Sequence, residues 1–114
     1  MTKIRYMHNT KRFSIEMRGH AGYAPCGKDI VCAGLSVLAN ALVYACLSAQ
    51  KSGEISHLSL TQESGYVRIA FVYEKEQSIR AIADLIITCL KMLEGEYGAF
   101  VQVNRAEKML SSKM

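Results

Sequence analysis

The 114-residue chain has no tryptophan and a single proline, Pro25. Scarcity of proline leaves long stretches free to run as uninterrupted helix or strand, since proline removes a backbone donor and crowds the turn before it. There is no basic block. Lys and Arg are scattered from Lys3 to Lys113, and without a stripe or cluster a net charge of +4 is no nucleic-acid footprint. No C-x2-C or H-x3-H pair occurs; His20, Cys26 and Cys32 stand six apart, a poor ligand spacing, so neither a metal nor a cofactor is expected. Repeats, low-complexity tracts and linkers are also missing, and residues 1–114 read as one domain.

The start, Met1-Thr2-Lys3-Ile4-Arg5-Tyr6, lacks the apolar core of a secretory signal and reads as a strand. A cytoplasmic location is therefore expected, where Cys26, Cys32, Cys46 and Cys89 stay reduced. One long apolar run is present. Ile30 to Leu47 carries no charge and is broken only by Gly34, Ser36 and Asn40, close to the ~18 residues of a marginal membrane span. A capped start, the mid-run amide Asn40 and flanking amphipathic strands favour another reading: a helix buried between a sheet and a second covering layer.

Half of the residues are apolar and charges of both signs are interspersed, as in a folded domain with a two-layer core. Ile4 and Tyr6, then Phe13, Ile15 and Met17, alternate on either side of His8-Asn9-Thr10-Lys11-Arg12, which predicts a hairpin. Gly19 to Lys28 reads as a loop, Asp29 as the cap of the apolar helix, and Gly53 as its stop. Ile55 to Leu60 and Tyr66 to Tyr73 predict a second hairpin across Gln62-Glu63-Ser64-Gly65. Ile79, Ile82, Ala83, Ile86, Leu90 and Leu93 form a helical stripe within Glu74 to Leu93, closed by Gly95 and Gly98. Phe100, Val101 and Val103 predict a last strand, and Arg105 to Met114 a polar, helical or frayed tail. The order β-β-α-β-β-α-β predicts an α+β fold, two helices on a mostly antiparallel sheet in two layers.

The chemistry lies in Gly19-His20-Ala21-Gly22-Tyr23-Ala24 and the following Asp29-Ile30-Val31-Cys32. With Asp29 as N-cap, Cys32 falls in the first helical turn, where free backbone N–H groups and the helix dipole favour a thiolate, the form that attacks carbonyl carbon. An imidazole nearby, that of His20, takes the proton and returns it to a leaving amine. Asp29 is expected to cap the helix and fix the loop, and Ser36, one turn beyond Cys32, to donate a hydrogen bond or face the sheet. Cys46 and Cys89, on apolar helix faces, are expected to be inert packing residues. Position alone leaves Cys32 as a core thiol and His20 as a strand-end polar residue equally open.

The stretches Gly19 to Ala24 and Gly27 to Ser36 resemble the signature of the ribosomal-processing cysteine protease family Prp, matching its G-H-A-x-x-A/S-x-x-G-x-D-I/L-V-C-A-x-x-S pattern. The resemblance implies Cys32 as nucleophile, His20 as base, Asp29 and Ser36 as supporting residues, and Gly19, Gly22 and Gly27 in a substrate-covering loop. It gives Cys26 no site role and reveals no third catalytic member. It further implies a homodimeric, cofactor-free endopeptidase that removes the N-terminal extension of a large-subunit ribosomal protein, with no membrane or direct nucleic-acid binding. The apolar face of Ile30 to Leu47 is a candidate contributor to the dimer. Two rival readings use the same loop: a non-catalytic ribosome-associated module holding a peptide or RNA, and a redox or metal sensor built on Cys26 and Cys32.

Overall fold

The computed structural model describes residues 1–25, 27–75 and 77–107. Cys26 and residues 108–114, with the tail predicted there, lie outside the described residues. The observed order is β1 (Thr2–His8), β2 (Arg12–Arg18), α1 (Ile30–Lys51), β3 (Ile55–Glu63), β4 (Tyr66–Tyr73), α2 (Ser78–Glu96) and β5 (Val101–Arg105). The fold is α+β, as the strand pairs and helical stripes predict.

The strands form one sheet in the order β3-β4-β2-β1-β5. All neighbours are antiparallel except β1 and β5, which run parallel. Alternation places Ile4 and Tyr6, Phe13 and Ile15, and Ile69 and Phe71 on one face, where they share a hydrophobic cluster with Val31, Leu35, Leu42 and Cys46 of α1 and Ile79, Ala83 and Leu90 of α2. Both helices therefore lie on the same side of the sheet, and among the described residues no helix covers the other side, where Met7, Ser14, Arg68 and Ala70 are nonetheless buried. Burying one of the larger side chains in this cluster stabilises the fold by about 1.5–3 kcal/mol.

Local chemistry sets the element ends. The β1–β2 turn is held by Asn9, whose side-chain oxygen accepts the N–H groups of Lys11 (2.9 Å) and Arg12 (2.8 Å). The β3–β4 hairpin is tighter than expected: both strands run up to Ser64-Gly65, where Gly65 takes φ +72°. α2 begins at Ser78 rather than Glu74, because Glu74 and Lys75 donate their N–H groups to the Glu54 carbonyl. The Glu54 carboxylate then accepts the Ile79 N–H (3.2 Å), supplying the cap that Gln77 does not. The helix runs through Gly95 and ends at Glu96.

The apolar helix is less enclosed than its composition predicts. Val31, Leu35, Ala39, Leu42, Val43, Cys46 and Ala49 are buried, but Ile30, Val37, Tyr44 and Leu47 are exposed, Tyr44 at 73%. The sheet and α2 cover one side only, with Leu93 of α2 beside Gly34; among the described residues no second layer covers the outer face. Asn40 is not buried either: its side chain accepts a hydrogen bond from Gln62 of β3 (3.1 Å). By length and composition α1 would also suffice to cross a membrane, but its buried stripe is packed on this sheet.

Candidate active site

The site is built where β2 leaves the sheet. Gly19 has φ +93°, and a Cβ there would sit 2.7 Å from the Met1 carbonyl oxygen, so only glycine fits. Its N–H donates to the Gly65 carbonyl (2.8 Å) and its carbonyl accepts the Thr2 hydroxyl (3.0 Å), pinning the chain to the β3–β4 turn and to β1. The next residue, His20, is thereby held exposed over Gly65: a Cβ at Gly65 would lie 3.1 Å from His20 Nε2.

Asp29 joins the loop to the helix. It is the N-cap of α1, with φ −88° and ψ 98°, and its Oδ1 accepts the Cys32 N–H (2.9 Å). Its Oδ2 accepts the N–H groups of Tyr23 (2.9 Å) and Ala24 (3.3 Å). These bonds, the one from Cys32 first, hold its carboxyl below the usual carboxylate value of 3.8 despite the opposing cost of burial. The sign follows. The clamp is intact above pH 3.8 and is lost as acid protonates Asp29 at still lower pH.

Cys32 is half-buried in the first turn of α1, and its Sγ accepts the Ala21 N–H at 3.3 Å. That amide follows directly on His20, so the loop carrying the imidazole also touches the sulfur. Cys32, His20 and Ser36 form the wall shared by two pockets. One, of about 150 Å³, is floored by Met17, Leu35, Ala39 and Val67; the other, of about 660 Å³, is bordered by Gly22, Ala24, Gly27, Lys28 and Asp29. Among the described residues no hydrogen bond joins His20 to Cys32, so the two are neighbours across an open space rather than a closed pair. Ser36 is exposed at the mouth and faces the pockets, not the sheet.

Sequence patterning missed the aromatic seat of the loop. Tyr23 packs edge-on against Tyr97 (5.5 Å) and Phe100 (5.2 Å), which follow α2. No spacing rule links residues so far apart. Thr2, Glu63 and Tyr66 also line the smaller pocket and carry no local signal. Among the described residues no group of His, Cys, Asp and Glu converges as metal ligands would.

The other thiols differ sharply in setting. Cys46 is fully buried, and burial pushes its pKa from 9.0 up to about 12; Cys89 is half-buried. Iodoacetamide at neutral pH is therefore expected to label Cys32 in the native protein and to spare Cys46 until unfolding, and peptide mapping checks this. Because the unfolded thiol ionises first, this group costs stability as pH rises from 9.0 towards 12. Labelling of Cys46 in the folded protein would contradict the packing described.

A family model described as cysteine protease Prp matches residues 1–102. The chain is 31% identical over 98 residues to the ribosomal processing cysteine protease Prp of Bacillus subtilis (strain 168), covering 82% of this chain and 86% of that protein. Its backbone is similar to that of the ribosomal processing protease Prp from S. aureus in complex with a covalently linked product peptide. The TM-score is 0.72 at 23% identity, over 93% of this chain and all of the other. A crystal structure of a Streptococcus mutans protein is similar to the same degree, with a TM-score of 0.71 at 23% identity over 95% and 96% of the two chains.

Proposed function

As the chain belongs to the cysteine protease Prp family, we propose that it is a site-specific endopeptidase in which Cys32 is the nucleophile and His20 the acid–base partner. Its substrate is the precursor of a large-subunit ribosomal protein, from which it removes an N-terminal extension in the cytoplasm. The observation that carries the assignment is the placement of Cys32 Sγ at the helix start, 3.3 Å from the Ala21 N–H and on the pocket wall that includes His20. The names of the relatives, and a neighbouring structure with a covalently linked product peptide, support the same reading.

Chemically the reaction is acyl transfer. His20 takes the thiol proton; the sulfur forms a bond to the scissile carbonyl carbon, and the carbonyl electrons move onto oxygen. The C–N bond then breaks as His20 protonates the departing amine, leaving a thioester that water hydrolyses. The helix-start N–H of Cys32 is already committed to Asp29, so it is not a free oxyanion donor as its position alone would imply. The Ala21 N–H, aimed at the sulfur, takes that role. Asp29 positions both donor and nucleophile by holding the loop against the helix.

The protein acts as a homodimer in this reading, through the outer face of the helices. Ile30, Val37 and Tyr44 recur at heptad spacing on α1, and Leu85 and Met92 do so on α2, all exposed. Tyr44→Glu combined with Val37→Glu is expected to convert a dimer to a monomer by sedimentation without loss of helix content; an unchanged mass would remove the helices from the interface. Incubating the protein with ribosomal proteins of the same cell tests the function itself. One N-terminal truncation by mass spectrometry is expected, and its absence, or broad degradation, would refute the substrate assignment.

A further inference from the structure

We propose that the face of the sheet turned away from both helices binds the phosphate backbone of single-stranded RNA. Scattered in sequence, the basic residues of the strands are gathered by register. Lys3 lies opposite Arg18, and Arg5 opposite Glu16, on β1 and β2; Arg18 lies opposite Tyr66 and Glu16 opposite Arg68 on β2 and β4. These residues alternate with Ile4, Ile15, Met17 and Ile69, which face the core, so they share the other face, with Arg12 further along β2. Lys3, Arg5, Arg12 and Arg18 are exposed there; Glu16 pairs with Arg18 at 3.1 Å and accepts the Tyr66 hydroxyl at 2.9 Å, and Glu63 lies opposite Tyr66.

One feature works against folding and suits a polyanion, and a second sets an aromatic ring beside it. Lys3 and Arg18 are direct cross-strand partners, and like charges so placed repel. Next to them Arg18 covers the ring of Tyr66 at 4.6 Å, an aromatic beside a cationic row. Basic rows with an aromatic side chain on a sheet are how sequence-tolerant single-strand binders hold backbone and base. The alternatives fit less well. A second copy related by a two-fold would set this basic face against itself. An anionic membrane would want apolar side chains to insert, yet apart from Met1 the large exposed ones named above lie on the helices or, as Tyr23, on the loop.

The test is fluorescence anisotropy of labelled oligouridylate against increasing salt. Compared are the wild type, the face variant Lys3→Gln/Arg5→Gln/Arg18→Gln, and the equally discharged control Lys51→Gln/Lys75→Gln/Lys91→Gln. The wild type and control are expected to bind with a steep inverse salt dependence, and the face variant with a slope shallower by about 2 and roughly tenfold or more weaker affinity. Unchanged alkylation of Cys32 in each variant shows that the fold is retained. Equal losses in both variants would mean that net charge alone binds RNA, and would overturn the proposal. So would absence of binding at low salt, equal affinity for polyglutamate or phosphatidylserine vesicles, or conversion of a dimer to monomers by the face variant. Because Lys3, Arg5 and Arg18 line neither pocket of the site, peptide cleavage by the face variant can persist while RNA binding fails, which separates this inference from the proposed activity.

Discussion

Cys32→Ala is expected to abolish cleavage of the precursor peptide, by roughly 10⁴-fold or more, while costing no more than about 1 kcal/mol of stability. The asymmetry follows from the structure. The side chain is small and half-buried; its Sγ accepts the Ala21 N–H, and its thiol also contributes a minor hydrogen bond to Asp29. Removing the sulfur leaves the main bond of the cap intact, since Asp29 Oδ1 accepts the backbone N–H of residue 32 and the side-chain contribution to Asp29 is the smallest of those acting on it. His20→Ala is expected to be nearly as severe for turnover and nearly silent for stability, because the ring is exposed. The two losses act on one chemical step, so the double variant should be little worse than either single one. Multiplicative losses would mean that the residues do not work as a pair.

Gly19→Ala is expected to produce the largest loss of stability of any single methyl addition in the loop, about 3 kcal/mol, or roughly 10–20 °C in Tm. The new Cβ would sit 2.7 Å from the backbone oxygen of Met1, just before β1, and neither atom is at the end of a flexible side chain that can move aside. To relieve the contact, the start of β1 or the exit of β2 must shift, and His20 follows directly after. Activity should therefore fall further than the fraction of folded protein does. Gly22→Ala is the matched comparison: φ is also positive (+74°), but nothing lies within 4 Å of the added carbon, so only the backbone preference of about 1 kcal/mol is at stake. Thermal unfolding of the two variants side by side checks this. Equal effects would show that the approach of β1 does not constrain the loop.

Much of this architecture was legible locally. Strands with strict alternation, such as Phe13-Ser14-Ile15-Glu16-Met17, and the i, i+3, i+4 stripe of α2 report their own conformation because a core on one side imposes the period. The cap at Asp29 was legible for the same reason: its partner, the Cys32 N–H, is three residues away. What sequence patterning could not supply was long-range. The parallel pairing of β5 with β1 joins residues about a hundred positions apart, and no local propensity encodes that choice. The seat of Tyr23 on Tyr97 and Phe100 is of this kind, and so is the cap of α2 by Glu54.

The apolar helix shows a different limit. Hydrophobicity around most of its circumference says that more than one face avoids water, not which neighbour covers each face; within one chain the sheet and α2 cover part, and Val37 and Tyr44 stay exposed. Charge shows the same limit in reverse. Lys3, Arg5, Arg12 and Arg18 look dispersed along the sequence, and only the strand register brings them to one face of the sheet, with Lys3 opposite Arg18.

The most direct test of Cys32 as the attacking atom is covalent trapping. A peptide chloromethyl ketone ending at the cleavage point should add once to the native protein, with the adduct mapped by mass spectrometry to Cys32 and formed far more slowly in His20→Ala. An adduct on Cys89 instead, or no adduct from a preparation that cleaves the precursor, would contradict the account.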